Sequence, residues 1–119
     1  MKALIPSKIA EIIFALCVGY FGVSHFLNGD KMAGMIPDYL PGEGKIWVYI
    51  AGTALVLAAV AIITGIQKSL ACNLLAVELL IFVFAIHLKP FLDGNAAGLL
   101  KDTSMAMCAI LIANRGSKN

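Results

Sequence analysis

Three apolar stretches, 9–27, 46–66 and 70–88, are each about as long as a helix must be to cross a bilayer, and together they take up about half of the 119-residue chain. The second holds no Asp, Glu, Lys or Arg, and the others hold one acid each, Glu11 and Glu78. A fourth run, 99–114, is shorter and carries Lys101 and Asp102 near its start. A soluble fold of this size must cover its surface with polar groups. Here only 13% of residues are charged, about half the usual share, and 61% are hydrophobic. In lipid the backbone must satisfy its own hydrogen bonds, which leaves helices as the economical solution. The expected fold is an all-α membrane protein, a single domain over residues 1–119. It is an antiparallel four-helix transmembrane bundle with short loops, its helices at about 9–27, 46–66, 70–88 and 99–114. The expected partner is the lipid bilayer. A net charge of +2, spread along the chain, excludes nucleic acid as a partner.

The first run reads as a retained helix. Basic Lys2 and Lys8 precede it, but no small-residue cleavage site follows. The long connection, residues 28–45, contains Asn28-Gly29-Asp30 and then Pro37-Asp38-Tyr39-Leu40-Pro41-Gly42, so it turns and extends. Between these, residues 31–36 have the composition of a short interfacial helix, and Tyr39, Trp47 and Tyr49 fit an aromatic belt. Pro90 and two glycines mark 89–98 as a loop. Four spans put both termini on one side with Lys2, Lys8, Lys68, Arg115 and Lys118, against Lys31, Lys45 and Lys89 with Lys101 beyond. That bias predicts cytoplasmic termini for a multi-pass protein whose expected location is the plasma (bacterial inner) membrane. Cys17, Cys72 and Cys108 form no CxxC pair and read as small buried hydrophobes. Gly19 and Gly22 with Ala15, and Gly52 with its alanine neighbours, are surfaces for close helix packing.

Ionisable groups inside a span are costly and face the bundle interior. With Lys8, Lys68 and Arg115 marking one interface, Glu78 lies about 15 Å deep at 1.5 Å per helical residue. Lys101 and Asp102 lie at roughly 20 Å, and His25 and His87 at about 25–28 Å. The fourth run is too short to leave Lys101 at the far surface. It either pairs with an acid, Glu78 being nearest in depth, or snorkels outward. Asp102 either caps the fourth helix or joins the chemistry. Glu78 precedes His87 by nine residues, which on a straight helix sets them on opposite faces. Glu11 reads as a first-turn acid. Histidine is suited to proton transfer, and two histidines alone make an incomplete metal shell, so no metal is expected. His25, Glu78, His87, Lys101 and Asp102 are therefore expected to gather in the outer half of the bundle as a polar pocket. The loop from Pro37 through Tyr39 to Pro41 would close it.

The segment Gly19-Tyr20-Phe21-Gly22-Val23-Ser24-His25-Phe26, then Met35-Ile36-Pro37-Asp38-Tyr39-Leu40-Pro41-Gly42, then Gly52, resembles the DoxX-like family of small four-helix membrane proteins. Ile86-His87-Leu88 and Leu99-Leu100-Lys101-Asp102 fit the second half of that pattern. The resemblance covers about residues 9–114 and implies an association with membrane redox chemistry, including electron transfer to quinone. Its matching positions are His25, Pro37, Tyr39, Pro41, Lys101 and Asp102. Thr103-Ser104 stand where relatives carry apolar or small residues.

Three functions compete. One is a redox-associated membrane subunit, quinone-linked, that contacts other membrane or redox subunits. The chain has no haem-ligand motif, flavin fold or dinucleotide-binding glycines, so quinone reduction by it alone would lack an electron carrier. The second is a non-catalytic assembly factor or accessory subunit. The third is a small transporter, which needs a deep acid in its first helix; here the deep acid is in the third. Whether a quinone copurifies separates the first two.

Overall fold

A computed structural model describes residues 3–117; Lys2 and Lys118, counted in the charge bias, lie outside them. Every element among the described residues is helical: α1 (Ser7–Leu27), α2 (Gly29–Ala33), α3 (Gly44–Thr64), α4 (Lys68–Phe82), a π-helical turn (Val83–His87), α5 (Leu88–Leu92) and α6 (Ala97–Ser117). Three helices are long and apolar enough to cross a membrane: Ser7–Leu27, Gly44–Thr64 and the continuous Lys68–Leu92. These point to a membrane protein.

Most boundaries move outward from the expected ones, while the second run's helix is shifted two residues toward the N-terminus and ends at Thr64 rather than 66. Helix α6 begins two residues before the apolar run at 99 and continues to Ser117, so Asp102 is its sixth residue and not a cap. The side chain of Asn95 instead accepts from the Ala97 amide at the start of α6. The third span does not stop at His87 but runs through Pro90 to Leu92. Proline cannot donate to the carbonyl four residues back, and the wide π turn immediately ahead of it takes up the mismatch. The short helix expected over 31–36 lies at Gly29–Ala33 instead.

Packing follows side-chain size. Helix α1 lies along α3, α4 lies along α6, and α3 meets α4 less extensively. The buried seam is rich in small residues, including Ala15, Ala58, Ala59, Ala76, Ala106 and Ala109. The large residues point outward, with Leu16, Leu57, Leu74 and Leu111 each more than half exposed. That arrangement suits lipid, where close backbone approach replaces hydrophobic burial as the source of helix association. At the α1–α3 crossing, a Cβ on Gly52 would sit 2.7 Å from the His25 Cβ and 2.9 Å from the Gly22 carbonyl oxygen. Only glycine allows that approach. Cys72 is buried as expected, but Cys17 and Cys108 are exposed on the outer surface. A thiol's small size and low polarity are tolerated there as well as inside.

Glu11 corrects the sequence reading most clearly. It is buried in the second turn of α1, with Lys68 Nζ 2.9 Å from Oε1 and Arg115 Nε 2.8 Å from Oε2. One carboxylate thus ties the start of α1 to the start of α4 and the end of α6. Helices α1 and α4 therefore run in the same direction, and α6 runs against them.

Candidate functional site

At the end of the molecule away from Glu11, the helices enclose a cavity of about 360 Å³. His25 from α1, Glu78 from α4, His87 from the π turn, and Lys101 and Asp102 from α6 all line it. Most of its wall is apolar, with Leu55, Leu79, Phe82 and Met105 among the contributors. Met35, Ile36, Pro37 and Leu40 of the long connection cover it. The indole N–H of Trp47 donates to the Pro41 carbonyl at 2.7 Å, and Lys45 pairs with Asp30 at 2.9 Å. These contacts pin the connection to the head of α3.

The π turn decides which groups meet. On a straight α-helix Glu78 and His87 would face opposite ways. A turn closed by i→i+5 bonds uses more residues per revolution and rotates everything after it. His87 is carried round to the cavity that Glu78 also lines. Its Nε2 lies 2.9 Å from Asp102 Oδ2, and the Asp102 side chain is only 5% exposed. Gly98 in the first turn of α6 leaves room for the imidazole, since a Cβ there would collide with His87 Nδ1.

Lys101 takes neither of its two expected arrangements in full. Its side chain is half exposed, and its Nζ stands 3.6 Å from Asp102 Oδ1 and 4.8 Å from the centre of the Phe21 ring. It is not paired with Glu78. His25 holds the Phe21 carbonyl at 2.6 Å from Nδ1, which places the proton on Nδ1, and its ring stacks on Phe82 with centroids 6.2 Å apart. In the neutral ring Nε2 is then an acceptor. Glu78 is the unsatisfied member: among the described residues its Oε1 is the buried side-chain oxygen with no hydrogen-bond partner. An unpaired buried polar oxygen of this kind is expensive to keep.

Tyr39 does not join the cavity. It is 76% exposed and borders a separate apolar groove of about 380 Å³ on the outer face of α4. The two spaces adjoin, with Ile81 and Ala85 lining both. Ile50 and Ile81 line the cavity while remaining more than half exposed, so it reaches the outer apolar surface between α3 and α4. Among the described residues no group of three His, Cys, Asp or Glu side chains is placed to hold a metal ion.

Fold and site together define an all-helical protein with three helices long and apolar enough to cross a membrane, and a cavity with a polar end that reaches the apolar outer surface. Residues 14–113 match the model of a domain of unknown function, DUF8561, and the chain belongs to that family. No curated protein and no solved structure matches it.

Proposed function

We propose that the chain is a quinone-associated subunit of the bacterial inner membrane, similar to the DoxX-like proteins, that binds a quinone-type headgroup in the cavity. The observation that carries this reading is the orphaned Glu78 oxygen inside an apolar cavity. A buried acceptor without a protein partner is matched by a ligand that brings a donor. Glu78 and His25 Nε2 offer acceptors to headgroup hydroxyls, and Lys101 offers a donor to a carbonyl oxygen. The His87–Asp102 pair orients the polar end. The apolar groove beside Tyr39 adjoins the cavity on the outer surface and suits an isoprenoid tail.

A quinone bound there would supply two-electron, two-proton redox chemistry. The protein's own residues bind the headgroup, exclude water with the 35–40 segment and hold protons at Glu78 and His25. Electrons would come from a partner subunit, since the sequence carries no electron-carrier motif.

The membrane arrangement belongs to the same proposal. Helix α6 is the fourth span of an antiparallel four-helix bundle, its outer end held below the surface by the Asp102–His87 pair. Both termini lie in the cytoplasm with the Lys8, Lys68 and Arg115 end. Thiols engineered into residues 28–43 should then react with a membrane-impermeant reagent added outside, and the opposite labelling pattern overturns this orientation. Mass spectrometry of the protein purified in mild detergent tests the ligand: a retained isoprenoid quinone supports the reading. Retention of phospholipid alone, with a partner membrane protein copurifying, would instead favour the accessory-subunit function.

A further inference from the structure

The end of the molecule away from the cavity holds a second recess, of about 250 Å³, that the proposed function leaves unused. Lys8, Lys68 and Arg115 line it together with Glu11. Glu11 is the single acid at this end. Asp30, Asp38, Glu43, Asp93 and Asp102 lie in or beside the connections at the opposite end, and Glu78 lies between. Three cations thus surround one carboxylate. Glu11 is committed to Lys68 and Arg115, and Lys8 is left without a protein partner among the described residues. Arg115 bonds Glu11 through Nε, and its guanidinium carries further donors in a planar fork suited to phosphate.

The location narrows the ligand. The recess sits where α1 begins, α3 ends at Gly65, α4 begins and α6 ends, the level at which a membrane-crossing bundle meets the headgroups. The rest of its wall comes from Ile12, Ile62, Ile63, Thr64 and Gly65, and Ile63 is exposed to the surroundings. A phosphate with acyl chains attached would meet cations at its head and isoleucine below. Basic recesses between helices on the cytoplasmic side hold anionic lipid headgroups in this way. Glu11 pre-sets the geometry by holding two of the cations in place before the anion arrives.

We infer that this recess binds a phosphate anion, in the form of the headgroup of an anionic phospholipid, through Lys8, Lys68 and Arg115. The inference does not depend on what occupies the cavity at the other end. Thermal melts of the purified full-length protein in detergent test it, with phosphatidylglycerol, phosphatidylcholine or inorganic phosphate added. Phosphatidylglycerol should raise the melting midpoint by several degrees and phosphatidylcholine should not. Lys8→Gln removes a cation that pairs with nothing among the described residues, so it should melt normally without lipid and lose most of the phosphatidylglycerol shift. Lys89→Gln, at the opposite end, should keep the full shift. Stabilisation by inorganic phosphate equal to that by phosphatidylglycerol, and lost in Lys8→Gln, would assign the site to free phosphate and overturn the lipid. A shift that Lys8→Gln retains, or one that phosphatidylcholine produces equally, would overturn the site altogether.

Discussion

The imidazole of His87 stands with Nε2 2.9 Å from Oδ2 of Asp102, joining the π turn within the third span to the second turn of α6. The two residues lie fifteen positions apart in the sequence, across a connection that contains Pro90 and Gly94. Their contact fixes how far α6 enters the bundle and which way the imidazole faces. Because Asp102 also has Lys101 within 3.6 Å, one carboxylate organises the polar end of the cavity.

Asp102→Ala should therefore destabilise the protein by about 2 kcal/mol, the scale of a lost charge-assisted hydrogen bond with a buried partner left behind. Asp102→Asn should cost less, since its amide oxygen still accepts from Nε2–H. Detergent melts of the two variants check the order; equal midpoints would show that the contact carries no weight.

Gly98→Ala reaches the same contact by a steric route. The added methyl would meet the His87 ring, which must rotate or push α6 away. A cost of about 1–3 kcal/mol is expected for overpacking at such a site. Adding His87→Ala to Gly98→Ala should remove most of the steric part of the penalty. A double-mutant cycle in thermal melts measures that coupling.

Glu11→Ala should cost about 2 kcal/mol or more. It leaves Lys68 and Arg115 facing one another without the buried anion between them. Both cations retain some solvent contact, which keeps the loss below that of a fully enclosed pair. Glu11→Gln should show a similar loss, because an amide cannot balance two cations. Melts at low and high salt check it: the deficit should shrink as salt screens the repulsion.

Lys101→Met should be close to neutral, below about 1 kcal/mol, since a half-exposed ammonium 3.6 Å from its partner gains little net energy. A loss of several kcal/mol in the melt would show that Lys101 is buried and paired in the membrane.

Much of the helical layout was legible in the apolar runs, whose lengths match those of the helices to within a few residues. The charge on Lys101-Asp102 and the close packing of Gly22 on Gly52 were legible too, because charge and size act locally. How Glu78 and His87 come to line one cavity was not. It depends on a π turn at Val83–His87, and nothing in Val-Phe-Ala-Ile-His announces one; the only hint is the proline three residues later, which a helix can tolerate only by distorting ahead of it. The pairing of Glu11 was hidden for a different reason. Its partners lie 57 and 104 positions away, and the signal was the count of charges: one acid against Lys8, Lys68 and Arg115 at the same depth. Tyr39 sits two residues from Pro37 and one from Leu40, both of which line the cavity, yet it faces the outer groove. The direction of a side chain in an irregular connection has no period to read.

Trp47 gives the most direct test of the cavity, being the one tryptophan in the chain and part of the cavity wall. Its fluorescence should be quenched saturably as a short-tailed quinol, kept reduced, is titrated into the detergent-solubilised protein. Glu78→Leu, which removes the orphaned acceptor without emptying the wall, should weaken binding of the reduced quinol form by about tenfold or more, the value of one hydrogen bond to a charged or buried group. Saturable quenching that depends on Glu78 is the expected result. Quenching that rises linearly without saturation, and is the same in Glu78→Leu, would contradict a quinone site in this cavity.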